Sequence, residues 1–534
     1  MNQDRLKPAG GSEIIFALAA FLFFAPTEGV FAGSLLSNPG FDADAPGQSQ
    51  NLPGWQAYGG NTYNETDAAI ARSATNYFKV YQAFTASVNY SGIYQDYISG
   101  PGAVYAADGW AYTRASDALA GNNVAWIEVT FRDASAKVLA LYRSALITTN
   151  ALSTGAFPKD RWNNLSVTNQ YDPASFQITN TTARLTAPAG TYFVRYQIVF
   201  QGDANNSGGS VYFDDLNLNR IAGAPYGNWN IVWSDEFNGS SLNSKVWTFD
   251  IGNSGWGNKE VEYYTSRTNN AYVANGELHI VAKKEIYGSA SYTSARLKSQ
   301  GLFSQKYGRI EWRAKLPQGV GCWPALWLLG TNISSIGWPG CGEIDVVENN
   351  GTSPAAVQTS IHSGTDATGF YHFLAGGSVT NFHTYTLDWT TNAMLFYVDG
   401  HLYETETNWG SSTGKAYPFP FDQPMFLIMD LAIGGNYVGN PSPDDINAGT
   451  VFPAEMVVDY VRVYNSTGPL KIAIRQNGSN VLLSWPSNIV CHVQAQTDVL
   501  SAGLGTNWIS LATTTNQLEV TADGGGGYFR LVTP

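Results

Sequence analysis

Between Gly33 and Tyr464 apolar side chains recur at every second position in short runs, and each run is closed by a cluster of Gly, Pro, Asn, Asp or Ser. TYFVRYQIVFQG from Thr191, SVYFDDLNL from Ser210, GRIEWRAKLP from Gly308, MLFYVDGHLYETE from Met394 and EMVVDYVRVY from Glu455 carry the pattern. A period of two puts alternate side chains on opposite faces of a strand, so such runs bury one face and wet the other. No helical pattern exceeds two turns. The expected fold class is therefore all-β, with the strands stacked as β-sandwiches. Composition agrees, with 55 Gly for turns, 16 Trp, 30 Tyr and 26 Phe for pleated surfaces, and only 13% charged residues. A net charge of −13 excludes the basic footprint of a nucleic-acid binder.

Punctuation divides the 534 residues. Residues 1–32 read as a secretory signal peptide: Arg5 and Lys7 precede a twelve-residue apolar run, Ile14 to Ala25, and Val30-Phe31-Ala32 supplies a small-residue cleavage site. Twelve apolar residues are too few to cross roughly 30 Å of hydrocarbon, so the expected product is exported, extracellular or periplasmic, with no membrane partner after cleavage. IAGAPYGN, from Ile221, has linker composition and separates a β-sandwich over 33–222 from a second all-β stretch over 223–466. NSTGP, from Asn465, opens a small β domain over 467–534 whose role is unreadable. The three cysteines make no disulfide framework and no CxxC pair. Cys322 and Cys341 flank WPALWLLGTNISSIGWPG and either bridge or remain buried thiols, and Cys491 reads as a small buried hydrophobe. Nothing fixes an oligomeric state.

The sequence contains no HExxH or P-loop, and its six His do not cluster at metal-ligand spacing. Carboxylates remain. CGEIDVVENNG sets Glu343, Asp345 and Glu348 inside an Ile/Val run with the composition of a buried strand, where acids are seldom placed without a function. In a regular strand Glu343 and Asp345 share a face and Glu348 points away. One residue taken up in a β-bulge at Val346 or Val347 brings all three to one face. The two Glu Cα atoms then stand about 13 Å apart, and side chains leaning together can close to the ~5–5.5 Å of a retaining glycosidase. Three such acids cannot all ionise cheaply: one is pushed toward the acid form while another stays charged as nucleophile, with Asp345 between them to orient the nucleophile or share its proton. The competing reading, an acidic edge strand that resists aggregation, would leave Ile344, Val346 and Val347 exposed.

WSDEFNG, WGNKEVEYYT, NGELHIVAKKE, YTSARLKSQG, YGRIEWRAKLPQGVGCWPALWLLG, GWPGCGEIDVVE, FHTYTLDW, LAIGGN and FPAEMVVDYVRVY follow one another from Trp229 to Tyr464. In that order they resemble the bacterial laminarinases (endo-β-1,3-glucanases) of glycoside hydrolase family 16. The resemblance implies a jelly-roll β-sandwich with a cleft for a β-glucan polysaccharide, no cofactor for catalysis, Glu343 as nucleophile, Asp345 as assisting acid and Glu348 as acid/base. It also implies substrate contacts by Trp323, His362, Asn258, Arg296 and Trp338, with Trp327 in the core, and a structural Ca2+ held by Glu236, Asp459 and the Gly276 carbonyl. The chain departs from the pattern at Asp430, where laminarinases tend to have Asn, at Tyr437, where they tend to have Trp, and at Glu262, where they tend to have Gln. An agarase- or carrageenase-like enzyme of the same fold is the alternative, opposed by the acidic charge and the lack of an Arg/Lys cluster for sulfates; a non-catalytic polysaccharide-binding protein would have lost a carboxylate. LLSNPGFDADAPG and GGSVYFDDLNL resemble the first and last strands of carbohydrate-binding modules, with Trp55, Tyr58 and Trp110 as candidate stacking residues and Asp214 or Asp215 as candidate ion ligands, although packing is the preferred reading for each.

Overall fold

The computed structural model describes residues 34–43, 50, 52–67, 69–223, 229–373 and 377–466, and in the tail the strands 473–477, 480–484, 492–496, 509–510, 517–521 and 528–532. The expected signal peptide, Cys491 and part of the linker lie outside them. The tail belongs to a unit of its own, separate from Glu28–Ser466. It carries two three-stranded antiparallel sheets, one of Ala473–Asn477, Asn480–Ser484 and Gln517–Thr521, the other of Ile509–Ser510, His492–Gln496 and Tyr528–Val532.

Period-two runs become strands because each buries alternate side chains. In Phe193–Gly202, Val194, Tyr196, Ile198 and Phe200 are fully buried while Arg195 and Gln197 point outward. These four join a core drawn from Leu36 to Leu218. Trp55 is part of that core, stacked on Phe41, and its Nε1 donates to the Asn38 carbonyl, so it packs rather than binds. Tyr58 donates its hydroxyl to the Ile198 carbonyl, and the Arg72 guanidinium covers Trp110 at 3.9 Å.

A second core, from Phe237 to Val463, fills the space between two further antiparallel sheets. The front sheet has seven strands in the order Thr248–Asp250, Arg296–Lys298, Met425–Ile433, Cys322–Gly330, Glu343–Glu348, Ala356–His362 and Ala367–His372. The back sheet includes Glu277–Tyr287, Ala454–Ser466, Gly308–Lys315, His383–Trp389, Met394–Val398 and His401–Glu406. Ile310, Trp312, Leu387 and Trp389 from behind meet Leu326, Leu328, Ile344 and Leu427 from the front, all fully buried. Cys322 and Cys341 are buried and unbridged, so packing and not a cross-link holds this region.

The two cores are joined at a sheet edge. Asn89–Ile98 of the first sandwich pairs with His401–Glu406 through Tyr97 opposite His401 and Asp96 opposite Leu402, and the Ile98 N–H donates to the Gly400 carbonyl at 2.7 Å. Ile98 and Phe193 bury against Leu395, Tyr397 and Leu402 beside the ladder. The two strands thereby cap each other's edges.

Leu326 has no exposed surface and packs between the sheets, whereas Ile286 is 88% exposed. Leu326→Ala is expected to cost about 2–5 kcal/mol in a denaturant melt, and Ile286→Ala less than about 0.5 kcal/mol.

Candidate active site

The strand Glu343–Glu348 lies inside the front sheet, between Cys322–Gly330 and Ala356–His362. Against the first neighbour Leu326 faces Val347 and Trp327 faces Asp345, so two residues on the acidic strand answer one on its partner. Against the second, Asp345 faces Ser360 and Glu348 faces Gln358, three steps against two. Both registers describe one bulge at Val346 and Val347, where the sequence requires it. Its driving force is visible in the core: both valines are buried behind the sheet, so the acids emerge together on the other face.

Burial sets the electrostatics. It pushes the carboxyl of Glu343 well above the usual range, and the nearby Asp345 adds to the shift. It raises Asp345 as well, although His362 works against the rise. Burial and then Asp345 push Glu348 up to about 8. His362 faces Glu343 across the ladder, with Nε2 at 3.4 Å from Asp345 and 4.0 Å from Glu343 and Nδ1 at 3.0 Å from Asp366. Burial disfavours its charge, but Asp345 and Asp366 on either side outweigh that and push the imidazole up to about 10. The imidazolium thus favours negative charge on the adjacent Asp345 and Glu343. Donor atoms of Glu343, Asp345 and His362 lie within 4.8 Å of one another, but a doubly protonated imidazole has no lone pair for a metal ion.

Glu348 accepts from Trp323 Nε1 at 3.0 Å. Tyr437 stacks on that indole at 4.9 Å, so one ring face expected to carry a sugar is already covered. Trp338 is 58% exposed beside His362, its ring centre 5.8 Å from the imidazole, and is the open aromatic surface of the site. Trp327 is buried, as expected for core, yet its register partner is Asp345 and its Nε1 donates to Asp430 at 2.7 Å. Asn258 turns its amide toward Glu260, at 3.4 Å. Arg296, expected as a sugar contact, is half-buried, with its guanidinium against the rings of Trp256 and Trp327, at 5.1 and 4.7 Å, and 3.1 Å from Asp250. It supports the floor.

Beneath that floor lies a set of groups that spacing could not reveal. Tyr264 reaches Glu260 and Asp430 at once, and Glu262 accepts from the Ile433 N–H with its other oxygen buried and unpartnered. Asp366 follows His362 in a turn and gives no sequence signal of its position. The proposed calcium donors are engaged elsewhere: Glu236 holds Arg462 at 2.9 and 2.8 Å, and Asp459 holds Arg313 at 2.6 Å. With each carboxylate matched by a guanidinium, this donor set does not fit a divalent cation.

The family model described as glycosyl hydrolases family 16 matches residues 258–454. A beta-glucanase of Rhodothermus marinus is 42% identical over 264 residues, 47% of this chain and 89% of the relative. Glucan endo-1,3-beta-glucosidase A1 of Niallia circulans is 37% identical over 300 residues, and the match spans 52% of this chain but only 43% of that longer protein. The catalytic domain of an endo-1,3-beta-glucanase (laminarinase) from Thermotoga petrophila, a solved structure, is 39% identical, covering 45% of this chain and 98% of that one, with a TM-score of 0.40.

Trp323 favours the charged form of Glu348 by donating to it. Trp323→Phe removes that donor and is expected to move the Glu348 carboxyl above about 8, read from the pH dependence of its carboxyl stretch by isotope-edited infrared spectroscopy.

Proposed function

The chain belongs to glycosyl hydrolases family 16, and from that premise we propose that it is a secreted, retaining endo-β-1,3-glucanase. That it is a glycoside hydrolase follows from the family. The mechanism rests on one observation above all: three carboxyl groups, half-buried Glu343 and buried Asp345 and Glu348, share a face, with the His362 imidazole within 4.0 Å of Glu343 and Asp345.

In the first step the Glu343 carboxylate attacks the anomeric carbon as Glu348 gives its proton to the departing glycosidic oxygen, and a glycosyl ester forms on Glu343. Asp345, held against His362, orients Glu343 and takes up the change in its charge. In the second step Glu348, now a carboxylate, removes a proton from water; the water oxygen bonds to the anomeric carbon and the ester bond breaks, returning Glu343 as carboxylate and Glu348 as acid. Two displacements at one carbon retain its configuration. Trp338 offers a flat face to a pyranose ring next to the reacting centre.

The name of the Niallia circulans relative supports β-1,3-glucan as substrate, and that of the Rhodothermus marinus relative a β-glucan. A neutral polymer also suits a cleft whose Arg296 guanidinium is engaged with two indoles and Asp250. Export rests on the apolar run Ile14 to Ala25, and polysaccharide binding by the first sandwich on its opening and closing strands.

With laminarin, Glu343→Gln and Glu348→Gln are each expected to lower kcat by roughly 10²–10⁴-fold or more, read as new reducing ends. Proton NMR of the wild-type reaction should show the β-anomer first. An initial α-anomer, or full activity in either variant, would overturn the mechanism; cleavage of agarose or carrageenan instead of laminarin would move the substrate.

A further inference from the structure

The strands of the front sheet align a row of side chains across the cleft floor: Asp250 faces Arg296, Arg296 faces Asp430, Asp430 faces Ala325, and Ala325 faces Glu348. Residues in lateral register share a sheet face, and neighbouring strands lie about 4.8 Å apart. Asp430 is therefore two strand spacings from Glu348, roughly 10 Å between Cα atoms, with only the methyl group of Ala325 between them. Asp430 is 5% exposed. Its Oδ1 accepts from Trp327 Nε1 at 2.7 Å, and its Oδ2 lies 3.1 Å from the Tyr264 hydroxyl. The same hydroxyl lies 2.9 Å from Glu260 Oε2. One phenolic proton cannot serve two carboxylates, so only one of these contacts is satisfied when both acids are ionised.

We propose that Asp430 is a positioning residue for the reaction: it anchors Trp327 beside Asp345, and its negative charge, one small residue away from Glu348, favours the proton that Glu348 must donate. The inference rests on the assignment of Glu348 as the acid. The groups facing Asp430 are Arg296, with Asp250 behind it, on one side, Tyr264, Glu260 and Glu262 from the segment that closes the floor, and Glu348 across Ala325. Those facing Glu348 are Glu343, Asp345, His362 and Tyr437 besides Asp430. Burial raises Asp430 to about 6 despite Arg296, so it carries its charge in the range where Glu348, near 8, gives up its own proton. This position is also one of the chain's departures from the laminarinase pattern. Asn there could accept from Trp327 and donate to Tyr264, preserving the geometry and removing the charge.

The test is the pH profile of kcat/KM on soluble laminarin. Asp430→Asn is expected to move the alkaline limb down by roughly 0.5–1 pH unit, because a Glu348 without its anionic neighbour ionises earlier, while KM changes less than about twofold. Asp430→Ser, neutral but too short to hold Trp327, should shift the limb in the same direction and lower kcat a further tenfold or so. A purely structural residue would change rate or stability without moving the limb. An unmoved limb in both folded variants overturns the proposal. Glu348→Gln, run alongside, separates the two failures: if it keeps the wild-type alkaline limb, Glu348 is not the acid; if it loses activity while Asp430→Asn leaves the limb in place, only the role of Asp430 falls.

Discussion

One strand has to satisfy two demands at once. Its back face must fill a dry core, and its front face must present three acids. The bulge at Val346 and Val347 reconciles them by turning two consecutive valines inward, and without it Glu348 would point into the apolar core between the sheets. An unpaired carboxylate there would cost several kcal/mol, far more than the local twist of a bulge. The apolar packing of the sheets thus fixes the chemistry of the cleft by leaving the acids nowhere else to go.

Grouping acids creates a second problem, and the structure resolves it through asymmetry. His362 balances the Glu343 end, Trp323 supports Glu348 by a single N–H, and Asp366 keeps the imidazole charged. Three residues of one type in one strand consequently differ in environment and in task. The floor below extends the arrangement: Arg296 between two indoles faces Asp430, Asp430 anchors Trp327, and Tyr264 ties Asp430 to Glu260. The family match and the nearly full coverage of the Rhodothermus marinus relative place this machinery in glycosyl hydrolases family 16, whereas the first sandwich and the tail lie outside the matched segment.

Much of the site was legible from residue types. Acids in an Ile/Val run announced a bulge, and parity alone located it, because a strand has a period of two and Glu343 and Glu348 are an odd number of residues apart. The partner residues were less accessible. Arg296 has the chemistry of a sugar contact, and only the rings of Trp256 and Trp327, forty and thirty-one positions away, show that it is covered. Trp323 has the chemistry of an open stacking surface, and only Tyr437, more than a hundred residues later, shows that one of its faces is covered. The calcium donors followed a motif, yet Arg462 and Arg313, brought in by neighbouring strands, occupy both carboxylates.

By itself the sequence determined the all-β class, the strand that carries the acids, and the need for one extra residue between Asp345 and Glu348. These are properties of local periodicity and of what a core will accept, and both are written within a few consecutive residues. Tertiary structure alone decided which acid lies near a cation, which indoles remain open, and that Asp430 stands in line with Glu348. Those depend on the register between strands far apart in the chain, and register is set by the fit of whole sheet faces rather than by any segment's own pattern.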